Sequence, residues 1–100
     1  MYPVMTHVGR SSGRLYRVPL DAYPVDGGYL FILMYGSDSD WVKNVLAAGR
    51  CSLTIDANEF QLVRPRVVTE EVAFELLPAT AKPPAGFLHV TEYLRMDTVR

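Results

Sequence analysis

T-H-V-G-R-S-S-G-R-L-Y-R-V-P-L, residues 6 to 20, sets two apolar-containing runs on either side of Gly9-Arg10-Ser11-Ser12-Gly13-Arg14. That is a hairpin signal: Gly9 and Gly13 reach backbone conformations other residues resist, and paired serines suit a turn. The turn is also basic. The first 20 residues hold Arg10, Arg14 and Arg17 with no Asp or Glu, although the whole chain carries a formal net charge of -1. Turn N–H groups and guanidinium forks can converge on the oxygens of a phosphate or carboxylate. The competing reading of this stretch is a solvated hairpin tip.

Outward from the turn, Met1–Val8 reads as the first strand, with Met5 and His7 on one face and Val4, Thr6 and Val8 on the other. Arg14–Tyr23 is its partner, with Tyr16, Val18, Leu20 and Ala22 sharing a face. Pro19 has no N–H, so this strand is expected to be an edge there or to leave the ladder. Asp26-Gly27-Gly28 is a turn that opens Tyr29–Tyr35, a continuous apolar run. A strand without alternation is covered on both faces, so this one is expected to be central. Gly36-Ser37-Asp38-Ser39-Asp40 then breaks the strand and caps a helix, with Ser39 or Asp38 as N-cap, an acid in the first turn and Gly49 as the stop. Trp41 pairs with Val45, and Val42 with Leu46, at i,i+4 spacing. A helix start at a strand's end is a second place where N–H groups can receive an anion.

Cys51, Leu53 and Ile55 alternate with Ser52, Thr54 and Asp56, a half-buried strand. Ala57-Asn58 turns into a longer strand, Glu59–Val68, interrupted by Pro65. Thr69-Glu70-Glu71 starts a short helix that Pro78 ends. Ala79–Gly86 reads as a loop. In the last strand Leu88, Val90, Leu94 and Met96 fall on one side and His89, Thr91, Tyr93 and Arg95 on the other. The expected architecture is mainly β, a single domain over residues 1–100: a small barrel of about six mostly antiparallel strands with two short peripheral helices.

Composition excludes several classes. A single cysteine, Cys51, rules out an internal disulfide, and isolated His7 and His89 give no metal-ligand spacing. Cys51 has no paired histidine and reads as a small core residue. His7 reads as a strand residue with a local partner. The near-neutral charge and lack of a basic stripe argue against nucleic acid as a partner. No run is long enough to span a bilayer and none resembles a signal peptide, so a soluble cytoplasmic protein is expected.

Two stretches of this chain, with a buried strand ending Y-G between them, resemble the deazaflavin-dependent nitroreductase family. The likeness covers G-R-S-S-G-R-x-x-R-V-P-L and D-W-V-K-N-V-L-A-A-G, running from about Thr6 to Arg66, with a weaker trace in Tyr93-Leu94-Arg95. It implies a split β-barrel related to the flavin-binding split barrels. It also implies binding of coenzyme F-420, a 5-deazaflavin with a phosphate and a glutamate tail. By the same resemblance, Arg10, Ser11, Ser12 and Gly13 hold the phosphate and tail. Tyr16, Arg17, Val18, Pro19 and Leu20 lie along the cofactor, and Leu33, Met34, Tyr35 and Gly36 face the ring. Asp40, Trp41, Val42, Lys43 and Asn44 close over the phosphate and ribityl chain.

No catalytic dyad is required, because the cofactor carries the hydride. Tyr35 or Tyr93 could donate a proton, and His89 with both tyrosines would shape the side facing a small-molecule electron acceptor, a quinone or nitroaromatic. Ser11 stands where the family usually has Lys, and Tyr35 is bulkier than many counterparts. The sequence starts almost at the first strand, so the N-terminal helix of many members is expected to be missing. An FMN-binding split barrel and a non-catalytic F-420 carrier are the alternative readings. A homodimer through sheet faces stays open.

Overall fold

The computed structural model describes residues 2–78 and 90–99. Its elements run β1 (Val4–Val8), β2 (Leu15–Pro19), β3 (Tyr23–Val25), β4 (Gly28–Ile32), α1 (Asp40–Ala48), β5 (Arg50–Ile55), β6 (Asn58–Thr69), α2 (Glu70–Leu76) and β7 (Glu92–Thr98). Seven strands form one antiparallel sheet in the order β2-β1-β5-β6-β7-β4-β3. The fold is a split β-barrel. Met5, Leu53, Leu62, Leu94, Met96 and Phe31 come from five different strands into one buried cluster, with Val42 and Val45 of α1 as its plug. A sheet that curls around one core in this way has its two ends closed by side chains rather than by hydrogen bonds.

β6 joins the halves. Its first part pairs with β5 and its second with β7, and the register slips between Val63 and Arg66. Pro65 cannot donate to the ladder, and Arg64 sits at φ 55°, so the chain makes a bulge there and bends. A second, smaller core of Leu30, Ala73, Leu77, Val90 and Tyr93 lies under α2. Thr69 caps α2, its hydroxyl accepting the Val72 N–H at 3.3 Å.

The hairpin, the Pro19 edge and both helices lie where the sequence puts them, and the β5–β6 turn falls one residue early, at Asp56-Ala57, with Asn58 already paired to Ile55. Four further expectations are corrected. There are seven strands among the described residues rather than six, because Tyr23–Val25 separates from β2 and pairs with β4. The apolar run leaves the sheet after Ile32. The Leu33 N–H bonds the Glu92 carbonyl, Gly36 turns at φ 75°, and Met34 and Tyr35 are 55% and 87% exposed. α1 therefore starts after a loop and not directly at the strand's end. Leu46 faces solvent, and the buried polar residue Asn44 takes the inner position beside Val45. Finally, both faces of β7 are buried: Leu94 and Met96 enter the larger core and Tyr93 the smaller one, on opposite sides as expected, but Val90 lies with Tyr93 and not beside Leu94. Leu88 and His89 lie outside the described residues.

β4 holds its place through a close approach. Gly28 pairs with Asp97, and a Cβ on Gly28 would collide with the Met96 carbonyl oxygen. Among the described residues no helix is long and apolar enough to cross a membrane, and no cluster of His, Cys, Asp or Glu could hold a metal ion.

Candidate functional site

The β1–β2 turn closes on itself first. The Gly9 N–H donates to the Arg14 carbonyl at 2.7 Å, the Gly13 N–H to the Gly9 carbonyl at 2.9 Å, and the Arg14 N–H to the Ser12 hydroxyl at 3.2 Å. Gly13 takes the left-handed conformation at φ 72°. Gly9 is needed for a different reason than expected. It is a matter of space: a Cβ there would stand 2.7 Å from Ser12 Oγ and 2.8 Å from the Tyr16 ring.

The turn is then docked on the start of α1. Asn44 Oδ1 accepts both the Arg10 backbone N–H (3.1 Å) and Arg10 Nη1 (2.7 Å), and Arg10 Nη2 pairs with Asp40 at 3.2 Å. With its oxygen so used, Asn44 turns its Nδ2 toward His7 Nδ1, 3.2 Å away. The imidazole therefore accepts at Nδ1 and keeps its proton on Nε2, and burial pushes its pKa below the ordinary value. His7 also stacks on Tyr16, with ring centroids 5.8 Å apart. One chain of contacts thus ties strand, turn and helix.

Two cavities open along this assembly. The polar one, about 570 Å³, is lined by His7, Gly9, Arg10, Ser11, Ser12, Tyr16, Arg17, Val18, Asp40, Trp41 and Asn44. The apolar one, about 410 Å³, fills the split between β2 and β4. Its walls are Tyr2, Val18, Pro19, Leu20, Asp21, Phe31, Ile32, Leu33, Met34, Tyr35, Gly36, Ser39 and Trp41. Val18 and Trp41 line both, so the cavities adjoin. Trp41 stands edge-on to Phe31, with ring centroids 6.4 Å apart. Behind the loop, Glu92 accepts from the Ser37 N–H at 3.3 Å and from its hydroxyl, which fixes Leu33–Ser39 over the slot.

The structure brings together Arg10, Ser11, Ser12, Tyr16, Arg17, Val18, Pro19, Leu20, Leu33, Met34, Tyr35, Gly36, Asp40, Trp41 and Asn44. Gly13, Val42 and Lys43 line neither cavity. Gly13 serves the turn, Val42 is fully buried in the core, and Lys43 faces solvent. The helical step of about 100° per residue separates these neighbours of Trp41 from it. Tyr93 lies apart as well. It is 1% exposed among Leu30, Ala73 and Leu77, and burial, helped by Glu70 and Tyr23, raises its phenol pKa. Cys51 is buried against Met96 and its thiol is pushed up to about 12, as befits a core residue. Sequence reasoning missed Tyr2, Asp21, Phe31, Ile32 and Ser39 as slot residues and undervalued His7. The inward position of His7 opposite Tyr16 was the signal for it.

No protein-family model matches the chain, and no curated protein matches it. Among solved structures, an F420 reductase aligns over 100% of this chain and 87% of its own, with a TM-score of 0.65 and 12% sequence identity. The chain shares its split β-barrel fold with that reductase.

Proposed function

We propose that the chain is an oxidoreductase that uses reduced coenzyme F-420 to reduce a flat conjugated acceptor, a quinone or a nitroaromatic. The observation that carries this reading is the pair of adjoining cavities: an apolar slot suited to a planar ring and a polar chamber, with Arg10 and Arg17 on its wall, suited to an anionic tail. The donor set fits such a ligand, since guanidinium and serine groups match phosphate and carboxylate oxygens. The fold likeness to an F420 reductase and the motif resemblance support the same assignment.

When bound in its reduced form, the deazaflavin supplies a hydride. The chain's own residues bind, orient and exclude water. Asn44 and Asp40 hold the Arg10 fork in place before any ligand arrives, which reduces the ordering cost of binding. Leu20, Phe31 and Leu33 keep water from the ring's place. Met34 and Tyr35, exposed at the mouth, meet the acceptor, and the Tyr35 hydroxyl delivers a proton to it. Undiminished turnover in Tyr35→Phe would remove that last role.

Trp41 is the single tryptophan and lines both cavities, so its fluorescence reports the site. Saturable quenching by F-420, together with oxidation of reduced F-420 by a quinone panel, is the expected result. Preference for FMN would make the protein a flavin enzyme. Tight F-420 binding without turnover would make it a carrier.

A further inference from the structure

We propose a second anion site, for a phosphate group, formed by Arg64, Arg66 and Arg95 at the end of β4 away from the slot. Gly27, Arg64, Arg66, Arg95, Asp97 and Thr98 line a cavity of about 510 Å³ there, and none of them lines the other two cavities. Gly27 precedes β4, whereas the slot begins at its far end. The proposal therefore goes beyond the cofactor reading and stands or falls without it.

The site is short of negative charge. Asp97 is the single carboxylate on its wall and serves all three arginines, meeting Arg64 at 2.6 Å, Arg66 at 3.2 Å and Arg95 at 3.3 Å. Three guanidinium charges against one carboxylate leave a surplus of two among the lining side chains. A phosphate dianion carries the matching charge.

Arg95 is also incompletely satisfied. Its side chain is only 9% exposed; Nη2 donates to the Asp26 carbonyl at 2.7 Å and Nε to Asp97, but the buried Nη1 has no partner among the described residues. Buried polar groups almost always find partners, so an orphan on a buried cation calls for a missing acceptor. An oxyanion in this cavity answers the surplus of positive charge. The β6 bulge gives the site its shape: Arg64, at φ 55°, swings out at the rim with its side chain 77% exposed, and its carbonyl accepts Arg66 Nη1 at 2.8 Å. Two exposed forks thus stand at the entrance and one buried fork at the back.

The test is a titration of the isotope-labelled full chain with inorganic phosphate, at ionic strength held constant with sodium chloride, read by the arginine Nε–Hε and backbone amide signals. Saturable displacements at Arg64, Arg66, Arg95, Gly27 and Thr98 are expected. Arg64→Gln changes an exposed side chain, so its remaining spectrum should match the parent, while phosphate affinity at this site falls at least tenfold. Arg10→Ala should leave these displacements intact, separating this site from the polar chamber. A parallel titration with glycerol phosphate tells the source: tighter binding than free phosphate assigns an organic monoester, and equal or weaker binding assigns phosphate itself. Absence of displacements at the triad, the same displacements with chloride alone, or unchanged affinity in Arg64→Gln would overturn the site and leave Asp97 as a structural clamp.

Discussion

Arg10 and Arg95 are both hydrogen-bonded arginines beside a cavity, yet the chain assembles the two places by opposite routes. The Arg10 chamber is built from one hairpin stretch, His7–Val18, laid against Asp40, Trp41 and Asn44 at the start of one helix. Its charges are half-exposed and loosely matched: the Arg10 side chain is 38% exposed and its partner Asp40 is 88% exposed. The Arg95 cavity collects residues from β6, β7 and the β3–β4 turn, and its carboxylate is only 13% exposed. Exposed pairs contribute at most about 1 kcal/mol, whereas breaking a buried pair costs about 3–5 kcal/mol. The single pair of the first place therefore adds little, whereas in the second only the Arg95–Asp97 pair, 9% and 13% exposed, is buried enough to hold position, with Arg64 and Arg66 77% and 47% exposed at the rim.

Substitutions should expose that contrast. The largest effect is expected for Asp97→Asn. It leaves the buried Arg95 without its counter-ion, the exposed Arg64 and Arg66 adding little, and should lower unfolding stability by about 3 kcal/mol in urea. A loss below about 1 kcal/mol would erase the distinction between the two sites. Next comes Asn44→Ala, which strips an acceptor from Arg10 and a donor from His7 in a buried place. About 2 kcal/mol of stability should go, with weaker cofactor binding. Arg10→Ala should barely move stability but weaken F-420 binding about tenfold, or about 1.4 kcal/mol, and flatten its salt dependence. Equal affinity at low salt would move the anionic tail elsewhere.

The smallest effect concerns pH. The folded His7 pKa is lowered, so the unfolded chain takes up the proton first as pH falls. His7 then contributes stability above roughly pH 6.5, lost as pH drops through the folded value. Asp97 adds a loss of the same sign at lower pH. Burial acts to raise its pKa, but the hydrogen bonds and charges of Arg66 and Arg64 outweigh it and hold the carboxyl below the usual range. His7→Gln should flatten the first step and leave the second.

The same contrast explains what could be read from sequence. The chamber was legible because its parts are local: a glycine turn, arginines and the start of one short helix carry their meaning within a few residues, although Ser39 makes no side-chain cap and the expected Val42–Leu46 stripe gives way to Asn44. The slot was legible only in part. Leu33–Tyr35 reads as strand because it is apolar, and only the Leu33 contact with Glu92 and the left-handed Gly36 show that the chain has already left the sheet. The arginine triad was not legible at all. Arg64 and Arg66 flank Pro65, and Arg95 lies 29 residues further on. Their meeting depends on the register slip in β6, which follows from tertiary pairing and leaves no periodic mark. Arg95 even sits in an apparently alternating strand, where the pattern assigns it to an open face.

Gly28 has a reach that its size hides. Opposite Asp97 the ladder admits no Cβ, and between Tyr23 and Ile32 only Gly27 and Gly28 lack one. Seating Gly27 there instead would turn β4 over, sending Leu30 and Phe31 into each other's cores. Phe31 would then leave the slot floor, and the turn that meets Arg95 would be displaced by one step. A missing methyl group acts as the gauge from which both ends of the strand are measured, so the apolar slot and the arginine triad inherit their alignment from the same atom-sized gap.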